Sequence, residues 1–176
     1  MNQLLVRPST EGDLSTITHI YSHHVRHSSA TFEVEPPDED EMAKRRATIL
    51  ALAMPYLVAE QDEVVVGYAY ASPYRPRPAY RFTVEDSVYV DPEHLGRGIG
   101  RALLAALIEH CERGPWRQMI AVIGDSANTA SLGLHAHLGF RMAGTLQAAG
   151  FKFGRWIDIV LMQRALGPGD TTPPSS

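Results

Sequence analysis

Val88-Tyr89-Val90-Asp91-Pro92-Glu93-His94-Leu95-Gly96-Arg97-Gly98-Ile99-Gly100-Arg101 runs from a β-branched strand through a glycine-rich turn into a helix. Glycines at alternate positions leave backbone N–H groups unobstructed. The helix that follows brings its positive dipole end to the same place, a geometry that suits a pyrophosphate. Arg97 and Arg101 add positive charge there. Spacing sorts the nucleotide-binding readings. The dinucleotide fingerprint fails because Arg101 stands where its third glycine belongs, and Gln118, about 20 residues past the turn, is not the acid that holds a ribose. A P-loop needs Gly-Lys-Ser/Thr at the helix start, and this chain has Gly100-Arg101-Ala102. Taken alone, the turn is either a phosphate cradle or a plain joint between strand and helix.

Upstream of this stretch, residues 3–7 read as a short strand, and Leu14, Ile17, Tyr21 and Val25 recur at helical spacing through residue 27. A second helix is expected from Asp38, with acids in its first turn and Lys44, Arg45 and Arg46 further along, until Met54-Pro55 closes it. Residues 56–60, 64–72 and 81–90 read as a meander of three strands. Downstream, apolar positions 103, 104, 107, 108 and 111 predict a helix over 99–113 that stops at Gly114-Pro115. A buried strand at 119–123, a helix at 129–138 and two closing strands at 140–147 and 155–164 complete the pattern. Residues 1–166 are expected to form one domain. Residues 167–176 have no apolar content to bury and are expected to be a disordered tail.

Composition narrows the function classes. The chain has 176 residues, 44% hydrophobic and 20% charged, with a formal charge of -4. At this length a domain buries roughly two-thirds of its unfolded surface, so neither disulfides nor a structural metal is needed. The mild acidity argues against nucleic acid, whose phosphate backbone demands a clustered excess of Lys and Arg. No apolar stretch approaches the roughly 20 residues that cross a bilayer, and Arg7-Pro8 interrupts the apolar start too early for a signal peptide. The expected address is the cytoplasm. Cys111, the single cysteine, falls in the apolar stripe of its helix and reads as a core thiol.

Two further clusters stand out. Arg75, Arg77 and Arg81, stiffened by Pro73, Pro76 and Pro78, form either an anion site for a carboxylate or phosphinate or a solvated basic loop. His19, His23 and His27 line one helix face. The zincin glutamate and nearby carboxylates are missing and the apolar stripe lies elsewhere, so no metal is expected.

The second half of the chain makes the phosphate loop specific. The sequence resembles the GCN5-related N-acetyltransferase superfamily. Its cofactor motif, Arg/Gln-x-x-Gly-x-Gly/Ala, is matched by Leu95-Gly96-Arg97-Gly98-Ile99-Gly100, except that Leu95 replaces the leading polar residue. Its later motif appears as Asn128-Thr129-Ala130-Ser131, followed by Leu134-His135-Ala136-His137-Leu138-Gly139-Phe140. Within the superfamily, the chain is similar to the phosphinothricin and methionine sulfoximine acetyltransferase group over essentially all of its length to Leu166. The closer match lies in Ala30-Thr31-Phe32, the run from Tyr80 through Glu85 and Asp86 to Val90, Ala121-Val122-Ile123-Gly124, and the run from Gly150 through Lys152 to Asp158.

The resemblance implies an α/β (α+β) fold with a mixed, mostly antiparallel sheet flanked by helices. It also implies acetyl-CoA as donor, a small amino acid-like acceptor such as phosphinothricin, methionine sulfoximine or methionine sulfone, and a homodimer. An amine attacks a thioester only as its free base, so some group must take its proton. Strand alternation puts Glu85 and Asp86 on opposite faces, one toward the cleft and the other toward solvent or a partner. The resemblance selects Glu85 as the base, acting through water. His135 stands where much of the superfamily has a tyrosine, and it either donates a proton to the departing thiolate, joins a relay, or packs. His137 points elsewhere on the helix.

By the same resemblance, Val88, Tyr89 and Val90 lie along the pantetheine, a backbone N–H near Val88 meets the oxyanion, and Asn128 bonds the pantetheine arm. Gly96, Arg97, Gly98, Ile99, Gly100, Arg101 and Ser131 complete the cofactor site, and Phe32, Arg75, Arg77 and Lys152 stand near the acceptor. Acetylation of a protein N-terminus or lysine, and a non-catalytic acyl-CoA sensor, are the alternatives.

Overall fold

The computed structural model describes residues 4–174. The strands are β1 (Leu4–Pro8), β2 (Tyr56–Gln61), β3 (Val64–Pro73), β4 (Thr83–Val90), β5 (Gln118–Gly124), β6 (Arg141–Lys152) and β7 (Arg155–Ala165). The helices are α1 (Leu14–His27), α2 (Glu39–Ala51), α3 (Ile99–Glu112) and α4 (Thr129–His137). One sheet runs in the order β1-β2-β3-β4-β5-β7-β6. Only the central pair, β4 and β5, is parallel; all other neighbours are antiparallel.

The helices form where periodicity and end signals agree. In α3, Leu103, Leu104 and Leu107 are fully buried with Cys111 on the same stripe, each leucine contributing about 1.5–3 kcal/mol of apolar transfer. Asp38 caps α2 by accepting a hydrogen bond from the Glu41 N–H at 2.8 Å. α3 packs over β3 and β4 on one face of the sheet. On the other face, α1 and α2 cover a tyrosine layer in which Tyr21 of α1 meets the Tyr89 ring edge-on, with centroids 5.1 Å apart.

The central pair makes the site. β4 and β5 pair from Thr83 with Gln118 to Asp86 with Ala121, then run on unpaired to Val90 and Gly124. Past this point the two strands separate. The fork exposes one edge of β4, and the backbone register fixes which groups it exposes. Asp91 N–H donates to Val66 of β3 and Phe82 C=O accepts from Gln118 beside β5, so odd residues of β4 address β3 and even ones address β5. Past Asp86, the N–H groups of Val88 and Val90 therefore point into the fork.

Three expectations change. β6 continues to Lys152 instead of stopping at 147, because two register shifts let the bulged strand follow β7 further. β4 begins at Thr83, since a tight turn at Pro78–Tyr80 displaces the preceding residues. The expected tail does not hang free over 167–174. Arg117 donates to the carbonyls of Gly169 and Pro173 and to the Thr172 hydroxyl, so polar anchoring replaces the missing apolar content. Residues 175–176, and residue 3 of the first expected strand, lie outside the described residues.

Candidate active site

The fork is the floor of a cleft of about 570 Å³. Val88, Tyr89 and Val90 line one side, and Val122, Ile123 and Gly124 line the other. At its mouth, Gly96 and Gly98 hold φ values of +74° and +79°, the left-handed region that glycine enters without penalty. A Cβ at either position would project into open space, so each glycine serves backbone conformation and leaves room for a ligand beside the α3 N-terminus. Gly100, Arg101 and the edge of the buried Ile99 line the same region. Arg97 is exposed and does not line the cleft, because the positive φ of its two glycine neighbours turns it outward. Leu95 lines the cleft despite its exposure. Asn128 caps α4, its side-chain oxygen accepting from Ser131 N–H at 3.2 Å, and both residues line the cleft.

Glu85 lies on the tyrosine face of β4, opposite Ser72, and opens to the cleft beside Tyr70. Burial, reinforced by the neighbouring Asp86 carboxylate and opposed by Arg75, pushes its carboxyl up to about 7. That value suits a group that takes a proton at neutral pH.

Asp86 departs from the expected alternation of cleft and solvent. Its side chain does point to the other face, yet α3 and α4 cover that face, and it is only 7% exposed. Its Oδ2 lies 2.9 Å from His135 Nε2, and His135 Nδ1 lies 2.7 Å from the Ser131 carbonyl. Burial by itself would lower the His135 pKa, but its bond to Asp86, that residue's charge and the Ser131 carbonyl outweigh burial and raise it. His137 is exposed on another face of α4.

The acceptor side differs from expectation in two ways. Lys152 does not line the cleft. Its ammonium is buried and donates to the carbonyls of Ser28 and Thr31, both at 2.8 Å, because the 28–32 segment crosses the end of β6. It positions Phe32, whose ring does line the cleft and lies where a Cβ on Gly150 would come within 2.0 Å of it. Arg75 and Arg77 are exposed and outside the cleft lining, since the proline loop swings away after β3 ends at Pro73. Arg75 remains close enough for its charge to act on Glu85.

Among the lining residues that sequence reasoning passed over are Thr31, Tyr70 and His24. His24 interrupts the expected histidine repeat, and its Nε2 lies 2.8 Å from the Val90 carbonyl and therefore donates to it. His19 and His27 are exposed. Cys111 is a core thiol, pushed up to about 12 by burial and then by the charge of Asp86. A second hollow of about 300 Å³ lies between α2 and the tyrosine layer, with Tyr70 shared between it and the cleft.

A parallel fork opened between two central strands, with a glycine cradle at the following helix, defines an acyl-CoA-type transferase site. The pattern of the acetyltransferase (GNAT) family matches residues 18–140, and the chain belongs to that family. It is 62% identical to phosphinothricin N-acetyltransferase of Alcaligenes faecalis, across 96% of this chain and 86% of the relative. It is 39% identical to the L-methionine sulfoximine/L-methionine sulfone acetyltransferase of Salmonella typhimurium, across 93% and 95% of the two chains. The crystal structure of a phosphinothricin acetyltransferase from Sinorhizobium meliloti in complex with AcCoA superposes with a TM-score of 0.96 at 48% identity, covering 98% of this chain and 94% of that one. The protein is thus an acetyltransferase with the mixed, mostly antiparallel GNAT sheet expected from sequence.

Proposed function

We propose that this enzyme moves the acetyl group of acetyl-CoA to the α-amino group of a small amino acid analogue of the phosphinothricin, methionine sulfoximine or methionine sulfone type. The observation that supports this most is Glu85, held near 7 at the cleft wall on the strand whose Val88 N–H points into the fork. The relatives' substrates supply the acceptor class.

The chain's own groups fit the donor. The 96–100 cradle and the α3 N-terminus receive a pyrophosphate, with Arg101 beside it. The exposed edge of β4 pairs with the pantetheine amides, and Asn128 and Ser131 close the other side. Acetyl-CoA supplies an activated carbonyl. Glu85, through a water, accepts the proton of the attacking amine as nitrogen bonds to that carbonyl carbon. Val88 N–H faces the oxyanion. When the tetrahedral adduct collapses, the carbon–sulfur bond breaks and CoA leaves as thiolate. Phe32 packs against the acceptor, while Arg75, outside the cleft lining, acts through its charge on Glu85.

The same reading has the enzyme working in the cytoplasm as a homodimer. Its single buried thiol suits a reducing compartment. Edge strand β6 and its hairpin partner expose Met142, Leu146, Phe151, Phe153 and Trp156, a patch that a second copy would cover.

The test is release of free CoA from acetyl-CoA with phosphinothricin, methionine sulfoximine, methionine sulfone, ordinary amino acids, polyamines and a peptide. Turnover confined to the first three is expected. Turnover with the peptide alone overturns the acceptor class, and silence with all of them despite tight CoA binding favours a sensor.

A further inference from the structure

Asp86 and His135 come from elements 49 residues apart and meet at the point where β4 and β5 stop pairing. Both line the cleft, and both are more than nine-tenths buried. The two ring nitrogens of His135 face a carboxylate oxygen at 2.9 Å and a backbone carbonyl at 2.7 Å. A carbonyl oxygen can only accept, and so can an ionised carboxylate, so each ring nitrogen must carry a hydrogen. That is the imidazolium. Removing either hydrogen would set a lone pair of the ring against a lone pair of its partner in a buried site. Phe140 meets the ring edge-on at 5.0 Å and restricts its rotation. Asp86 Oδ1 is buried and has no hydrogen-bond partner among the described residues.

We propose that Asp86 is a positioning residue for acetyl transfer. With His135 it forms a fixed carboxylate–imidazolium pair at the root of the fork, neutral as a whole, whose imidazolium end stabilises the departing thiolate as the positive end of a fixed dipole while His135 keeps both of its protons.

The proposal rests on the acetyl-transfer reading above and makes His135 a fixed cation in place of the proton donor, relay member or packing residue that the sequence left open. The thiol of CoA is acidic enough, near the ordinary thiol value of about 8.5, to leave as thiolate and take its proton from water in the open cleft. The other titratable groups around the pair are Glu85, adjacent on β4 with its side chain on the opposite face, and Cys111 of α3, which burial keeps as a thiol.

Asp86→Asn tests this with little change of shape. The amide can donate to Nε2, so the ring becomes neutral with its remaining hydrogen on Nδ1. The expected result is a fall in kcat of about tenfold to hundredfold with the KM for acetyl-CoA held within about threefold, since a preorganised charge acts mainly on the transition state. In the unaltered enzyme, nitrogen NMR of the labelled His135 ring should show both nitrogens still protonated at pH 7, and kcat should show no descending limb near neutral pH. An unchanged kcat in Asp86→Asn overturns the proposal. So does a neutral His135 ring at pH 7 in the unaltered enzyme, a result that stands even where the variant fails to fold. Silence with every acceptor would sink the transfer reading, while ring protonation would still decide the state of the pair.

Discussion

The glycine turn at 96–100, the proposed phosphate cradle, is assembled from neighbouring residues, whereas the opposite wall of the cleft, with Thr31 and Phe32, is held by Lys152 from 121 residues further along the chain. The first region depends on backbone conformation and the second on side chains meeting across the sheet. A change in the cradle should therefore act on the donor, and a change in the far wall should act on the acceptor. Variants that move the wrong substrate's KM would break this division.

Between these two regions, the largest effect is expected at Gly98. Valine there must adopt a φ near +79°, which costs about 1–2 kcal/mol or more for a β-branched residue, and its side chain would enter the space left for phosphate. The KM for acetyl-CoA should rise about a hundredfold while the acceptor's KM stays close to its original value; equal rises in both would contradict the division. Lys152→Met comes next. It leaves the carbonyls of Ser28 and Thr31 without their donor, at a cost of about 1–3 kcal/mol in stability measured by urea unfolding. Its KM effect should fall on the acceptor, by about tenfold, because Phe32 loses its anchor.

Arg75→Ala should have the smallest effect. Arg75 opposes the rise of the Glu85 carboxyl, so its removal lets that value climb further. Glu85 acts as a base only when ionised, so the ascending limb of kcat against pH should move to higher pH. Movement to lower pH would show that Arg75 does not face Glu85.

The same local and distant contrast explains what could be read from sequence. Helix periodicity was enough for α3 and its buried stripe, and the glycine turn for the open, positive-φ backbone ahead of that helix, because both are written in consecutive residues. Asp86 was legible only as a residue opposite in face to Glu85. That α4 covers it follows from a contact 49 residues away that no local pattern encodes. Lys152 was associated with the acceptor through resemblance alone, and only the fold shows its ammonium engaged by two carbonyls. The outward swing of Arg75 and Arg77 depends on where β3 ends, and the anchoring of 167–174 depends on Arg117, both beyond the reach of composition.

Glu85 joins the two regions, and its burial has a cost in stability. Its folded value of about 7 lies above the ordinary carboxyl value near 4.5, so the folded state binds the proton more tightly, and stability falls as pH rises between those values. Glu85→Gln lacks that dependence and should be more stable than the parent above pH 7, by about 1–3 kcal/mol at most.

The most direct test of the account is the same substitution read as turnover. CoA release with methionine sulfone at saturating substrates should fall by about 10²–10⁴-fold in Glu85→Gln, while acetyl-CoA binding by calorimetry stays within about threefold. Turnover retained within about threefold of the parent across pH 6 to 9 would contradict the assignment of Glu85 as the base.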